Sequence, residues 1–270
     1  MFRRSTNVIT ESQGRRFGIV GARVALVGAT TVCMLAASML VAGAASAGHF
    51  AKLGKPIPPG SIAAAFRGGY PELTARWWTW ATGIFPETPI ADTTGELCDQ
   101  GQHGSVWFLA GSFGGSIGPG TVVRDCAVPR WKTLFFPVFN TLWWVPEDGD
   151  TAADVRILAN QNASPDGLEM EVLVDGVALE DIFGYRAQSP PGGSLYRIEE
   201  GSWGTDFGGL APPNFFPPGD RFPAVADGYW VMLRRLSRGQ HTVVIRAFVP
   251  DLLGPGADFD LDVTYNLTVD

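Results

Sequence analysis

The last stretch of the chain constrains the fold most. From Asp258 to Val269, Phe259, Leu261, Val263, Tyr265, Leu267 and Val269 alternate with Asp258, Asp260, Asp262, Thr264, Asn266 and Thr268. A period of two sends each set to one face of a β-strand, so one face is core and the other meets water. Asp227–Leu236 and Gln240–Val249 precede it as two further strands, divided by Gly-containing turns. Upstream, Leu168, Met170, Val172 and Val174 alternate ahead of Asp175-Gly176, a two-residue hairpin signal. Thr121–Val128 and the Phe-rich Lys132–Asn140 read as strands, and Ser105–Gly111 is a continuous apolar run that predicts a strand buried on both faces.

Helical periodicity is confined to two places. Pro71–Ala81 has Pro in a first-turn position and Leu73, Trp77, Trp80 and Ala81 at helical spacing, with Trp78 off that stripe. After Pro146–Asp150 breaks the sheet, Thr151 can cap a short helix carrying Ala152, Val155, Leu158 and Ala159 on one side. Several strands with one or two short helices predict a mainly β fold, a β-sandwich or jelly roll, as a single domain over residues 70–270. Residues 48–69 read as an extended lead-in, and residues 184–223 as a mostly irregular covering loop.

Residues 1–23 hold Arg3, Arg4, Arg15, Arg16 and Arg23 against Glu11, and Val24–Ala47 carries no charge. With Ala45-Ser46-Ala47 at its end, this predicts a signal peptide over residues 1–47 and a secreted, extracellular or periplasmic protein. The apolar run is also long enough to span a bilayer, so an uncleaved N-terminal membrane anchor is the alternative. Both place the remainder outside the membrane. The formal net charge of −7 comes from 20 Lys+Arg and 27 Asp+Glu, and loss of the leader leaves 15 against 26, or −11. Such an acidic body argues against nucleic acid and anionic lipid as partners, because phosphates call for clustered Lys and Arg.

Cys33 falls in the leader, which leaves Cys98 and Cys126. In an oxidising compartment they read as one disulfide contributing about 3.5 kcal/mol by chain-entropy arithmetic. Two free or metal-binding thiols are the alternative, although neither sits in a CxxC.

The segment 85–104 lacks periodicity and crowds Asp92, Thr93, Thr94, Glu96, Asp99, Gln100, Gln102 and His103 together. Glycoside hydrolysis takes two carboxyls about 5–10 Å apart, so Asp92, Glu96, Asp99 and Asp206 are the candidate acids of a polymer-acting hydrolase. Solvated surface acids are the simpler account of them. Asp148 and Asp150, with Glu147, offer oxygens to calcium, as do Asp258, Asp260 and Asp262, but neither group has the spacing of a calcium loop. Processing after Gly48 would make His49 terminal, where amine and imidazole can hold copper. His241 shares the aliphatic register of Val243 and Ile245 and reads as a core histidine with one satisfied nitrogen. No GxSxG elbow, P-loop or dinucleotide fingerprint is present.

All nine Trp lie beyond the leader, and exposed rings on an extracellular β-sandwich can stack on sugars. The expectation is therefore a protein that binds a neutral extracellular ligand, a glycan or cell-surface polymer, through the polar loop and nearby rings. Trp78, Gln102, His103, Trp107, Asn140, Tyr229 and Trp230 are the candidate binding residues. A structural envelope protein without a ligand is the remaining reading.

Several blocks together are similar to a group of secreted bacterial proteins of unknown function. They are Trp77-x-x-Trp80, Asp92-Thr-Thr-Gly95 with Cys98, Gly101-Gln102, Val106–Gly111, Cys126-x-Val-Pro129, Leu134–Pro137 with Asn140, Asp227–Trp230 and Leu261–Thr268. The resemblance covers most of residues 70–270 and implies export and one folded unit. It supplies no activity and no catalytic residues.

Overall fold

The computed structural model describes residues 54–84, 88–113, 121–198 and 219–270. The leader, His49 and Asp206 lie outside the described residues.

The protein is mainly β, built from two five-stranded sheets. In the first, β1 (Val106–Phe108), β3 (Thr133–Trp144), β8 (Gly219–Leu233) and β6 (Arg186–Gln188) lie side by side, and β7 (Ser194–Ile198) also pairs with β8. The second runs β2 (Thr121–Val128), β10 (Phe259–Val269), β9 (Gly239–Val249), β4 (Glu169–Val174) and β5 (Val177–Ala178). β1 pairs with β3, and β2 with β10, in parallel; every other described pairing is antiparallel. The chain passes from β1 through β2 in the opposite sheet before entering β3, which lets β1 and β3 run the same way. The result is a β-sandwich with mixed sheets, not the all-antiparallel jelly roll.

The alternation at the C-terminus holds: Leu261, Val263, Tyr265, Leu267 and Val269 are buried. They meet Val243, Ile245 and Ala247 from β9 and Leu134, Phe136, Val231 and Leu233 from the first sheet. On the outer face of the second sheet, Arg246 reaches Glu171 at 2.7 Å and Asp262 at 3.3 Å. The hairpin signal is also realised, with Asp175 at φ 52° and Gly176 at φ 77° between β4 and β5.

The first sheet is covered on its other face by helix, which is why β3 and β8 read as apolar almost throughout. After the short α1 (Ile62–Ala65), α2 (Gly69–Gly83) lays Leu73, Trp77 and Trp80 against Phe108, Phe135 and Trp230. Phe135 stacks on Trp230 with centroids 5.5 Å apart, and Trp77 meets Trp230 edge-on at 5.5 Å. The third helix, α3 (Ala152–Asn162), starts with a capping box between Thr151 and Asp154 and buries Val155 and Ala159 against Val225.

Three expectations change. The buried run 105–111 pairs as a strand only over β1, because the chain turns away from β3 after Phe108. Residues 184–223 hold β6, β7 and the first residues of β8; their polar and Gly/Pro-rich composition masked strands held by pairing with β8. The described part of the lead-in is not extended throughout, since Ile62–Ala65 is helical; Pro56 bridges Leu233, and Ile57 is fully buried with its carbonyl accepting the Tyr70 hydroxyl at 2.6 Å.

Candidate functional site

β3 is the strand around which a site forms. Its pairing with β1 ends at Phe108, and the chain then makes one more bond, Leu109 N–H to Phe135 O at 3.1 Å, before leaving. On the opposite side its register with β8 shifts between Pro137 and Phe139. Gly228 sits across this bulge at φ +154°, where a Cβ would lie 2.3 Å from Phe139 O. Only glycine permits that approach. Beyond the bulge, β3 has no second neighbour among the described strands.

A cavity of about 380 Å³ wraps this free edge. Trp77 and Trp78 of α2 form one wall, Phe139, Thr141 and Trp143 of β3 a second, and Phe259 and Leu261 of β10 a third. Leu252 and Leu253 close it from the β9–β10 turn. Its surface is mostly apolar and aromatic, with a few polar atoms. Those atoms are the unusual part. Among the described residues, Nε1 of Trp78, Nε1 of Trp143, Oδ1 of Asn140 and Oγ1 of Thr141 are buried without a hydrogen-bond partner, and all four residues line this cavity. Neighbouring indoles differ: Trp77 Nε1 donates to Leu109 O at 2.9 Å and Trp80 Nε1 to Gln100 O at 2.8 Å. An unpartnered indole by itself signifies little, since Trp107 and Trp230 have one inside the core. Four residues carrying such atoms, all lining one aromatic cavity, are a different matter.

Arg124 positions the cavity floor. It lies on the inward register of β2 beside Val122 and Cys126, is 1% exposed, and forms no ion pair among the described residues. Its Nε donates to Asp92 O at 2.6 Å, Nη1 to Ala110 O at 2.8 Å and the Tyr265 hydroxyl at 2.7 Å. Nη2 donates to Ile90 O at 3.1 Å and Gly111 O at 3.0 Å. Ile90 and Gly111 both line the cavity. One guanidinium thus ties two irregular segments to β2, using its planar fork of donors. The signal for it was present in the sequence as a charged residue in the inward phase of Val122-x-Arg124-x-Cys126-x-Val128.

The polar loop serves as architecture. The disulfide Cys98–Cys126 joins it to β2 with Cα atoms 6.0 Å apart. Asp92 Oδ1 accepts from Thr94 N at 2.8 Å, Gly95 N at 2.9 Å and Thr94 Oγ1 at 3.0 Å, and Oδ2 accepts from Leu97 N at 2.9 Å. Burial pushes the Asp92 pKa up, but the N–H groups of Leu97, Thr94 and Gly95 and the Thr94 hydroxyl outweigh it and hold it below the ordinary value. Thr94 O in turn accepts Asp125 N–H at 2.9 Å, and a Cβ on Gly95 would lie 2.2 Å from Asp125 O. Asp92 is therefore a buried cap. Glu96 and Asp99 are exposed, and neither lines the cavity.

The other candidate binding residues divide similarly. Trp78 and Asn140 line the cavity. Gln102 braces the loop, with Nε2 donating to Cys98 O and Phe108 O and Oε1 accepting Phe108 N–H, each at 2.9 Å. Trp107 and Tyr229 belong to the core between the sheets, and Trp230 is fully buried under α2. His103 is exposed and lines a separate, shallow groove with Arg76 and Thr79.

His241 is more fully engaged than expected. Nδ1 lies 2.8 Å from Asp175 Oδ2, and Nε2 lies 3.1 Å from Ser237 Oγ and 3.0 Å from Ser237 O. Nε2 is shared between the hydroxyl and the carbonyl of Ser237 while Nδ1 faces Asp175, so the imidazole links the β8–β9 turn to the β4–β5 turn. Among the acids weighed for calcium, Asp148 accepts Trp144 N–H at 2.9 Å, Glu147 pairs with Arg221 at 2.6 Å, and Asp258 accepts Asp251 N–H at 2.9 Å. Among the described residues no three His, Cys, Asp or Glu side chains are grouped as metal ligands would be.

No protein-family model, curated protein or solved structure matches the chain.

Proposed function

We propose that this is an exported protein that binds a neutral, sugar-like ligand in the cavity at the free edge of β3. The observation that carries this reading is that Trp78, Asn140, Thr141 and Trp143, each with a buried polar atom unpartnered among the described residues, all line one aromatic cavity. A buried polar group without a partner costs about 1–3 kcal/mol, and a hydroxyl-bearing ligand with flat apolar faces would satisfy the atoms while stacking on the rings. The cavity volume of about 380 Å³ suits a small ligand or a chain end. The Cys98–Cys126 disulfide supports export.

Titration calorimetry against neutral oligosaccharides tests the proposal. Trp78→Phe and Asn140→Ala are each expected to weaken binding about tenfold, the worth of one good hydrogen bond. Thermal stability should stay level or rise slightly, because each change deletes an unpartnered group. A blank panel for the natural protein, or both variants binding undiminished, rejects the reading.

A further inference from the structure

The acidic average of the chain conceals a basic end. Where β2 leads into β3 and β8 into β9, a groove of about 480 Å³ is lined by Arg130, Trp131, Arg235, Leu236, Ser237 and Arg238. The three arginines are exposed, and none forms an ion pair among the described residues. More positive charge stands beside them. Arg234 N–H bonds Lys55 O at 2.9 Å, and Arg67 Nε bonds Thr133 Oγ1 at 2.9 Å at the start of β3. Burial, and then the like charges of Arg234 and Arg235, lower the Arg67 pKa. Of the nearby acids, Asp175 is taken up by His241 and Thr242 N–H, and Asp270, whose backbone oxygen accepts Arg130 N–H at 3.0 Å, forms no ion pair with the three arginines among the described residues.

Trp131 adds a second feature. It is 54% exposed, and Lys132 holds it in place. Lys132 is 5% exposed, its Nζ lies 4.5 Å from the Trp131 ring centroid, and the same Nζ donates to Gly104 O at 2.7 Å. A cation packed against an indole and anchored to backbone fixes the ring before any ligand arrives, which lowers the entropy cost of using it.

We propose that this end of the sandwich is a second binding site, for an acidic polysaccharide, with sugar carboxylates on Arg130, Arg235 and Arg238 and a sugar ring stacked on Trp131. Guanidinium forks match carboxylates in geometry, and the indole beside them matches the apolar face of the ring that carries the carboxylate. A polymer with one charge per sugar can seat a short segment here. A nucleic acid or an anionic membrane suits this end less well, because the arginines are confined to one short groove of a chain whose formal net charge is −7.

The test is calorimetric titration of the full exported chain with hexagalacturonate, with maltohexaose, an oligothymidylate and phosphatidylglycerol vesicles as alternatives. Hexagalacturonate is expected to bind and maltohexaose not to bind at this site. The double variant Arg235→Glu/Arg238→Glu should weaken hexagalacturonate at least thirtyfold and Trp131→Ala about tenfold. Affinity should also fall as NaCl rises from 50 to 200 mM. All these positions are exposed, so near-UV circular dichroism should confirm unchanged folds. Absence of hexagalacturonate binding, equal binding by the double variant, or indifference to Trp131→Ala overturns the proposal. Tighter binding of the oligothymidylate or the vesicles overturns it in favour of a phosphate partner.

Discussion

Arg124→Met is the sharpest probe of how the candidate cavity is held. The side chain makes five hydrogen bonds at 2.6–3.1 Å, all to uncharged oxygens. Methionine fills similar volume and donates nothing. Ala110 O keeps the Tyr265 hydroxyl at 3.0 Å, but Ile90 O, Asp92 O and Gly111 O each lose the guanidinium. Three abandoned acceptors at about 1–3 kcal/mol each give a gross loss of about 3–9 kcal/mol. Removing a buried charge that has no counter-charge returns part of this, so the expected net loss is about 3–5 kcal/mol. For a domain of this size that lowers Tm by about 6–20 °C. Arg124→Lys keeps the charge as a single point with three donors and should recover about half. Non-reducing urea denaturation followed by tryptophan fluorescence and by far-UV circular dichroism measures both. If Arg124→Met stays within about 1 kcal/mol of the natural protein, the guanidinium is not what holds the 88–92 and 109–113 segments against β2.

Three further outcomes follow from the same geometry. Replacing Cys98 and Cys126 by Ser should lower stability by about 3 kcal/mol in urea yet leave a folded protein, because Thr94 O and Arg124 still join the loop to β2; complete unfolding on replacement would contradict this. Asp92 has a folded-state pKa held below its unfolded value, so the stability it contributes is present above the unfolded pKa and disappears as pH falls through the folded one. Acid titration of stability should therefore be flatter in Asp92→Asn, and an unchanged slope would remove Asp92 from the acid response. Gly228→Ala puts a methyl group 2.3 Å from Phe139 O and should cost about 2–4 kcal/mol by forcing β3 away from β8 at the bulge; a loss under about 0.5 kcal/mol would mean that the close approach is not required.

The strands that were plain in the sequence are those with one wet face. β10 and β9 alternate because the outer face of the second sheet meets solvent, and Thr121–Val128 was delimited to the residue for the same reason. β3 and β8 lack that alternation because α2 and the second sheet bury both their faces, so their lengths were misjudged. β6 and β7 are strands by virtue of β8 alone, and nothing in Arg186-Ala187-Gln188 announces it. Gln102, Asp92 and His103 stood out because polar residues in an irregular loop suggest chemistry, but pairing partners decide that, and two of the three have theirs in the backbone. Trp78 was separable from Trp77 and Trp80 by helical phase, and that phase carries it to the cavity wall. The convergence of Trp78 with Trp143, from elements far apart in the chain, was beyond any local pattern. The basic end was hidden by averaging, since Arg130 and Arg234-Arg235 lie in different turns of an acidic chain.

The position of the cavity follows from how the first sheet ends. An unpaired strand edge is a hazard that proteins cover or blunt. At β3 the edge left without a neighbour among the described strands after Phe108 is flanked by α2, by the chain leaving β1 and by the β9–β10 turn; Trp77 Nε1 on Leu109 O joins the first two, Arg124 on Gly111 O joins the second to β2, and Asp258 on Asp251 N–H closes the turn. These bonds fix the flanking segments by their backbones, so the cavity is framed by polar contacts although its walls are rich in Trp, Phe and Leu. Bracing that frames a cavity around unpartnered donors and acceptors lowers the stability of the empty protein. On the proposed reading, the same bracing is what would preorganise the space for an occupant with hydroxyls at its rim and flat faces between them.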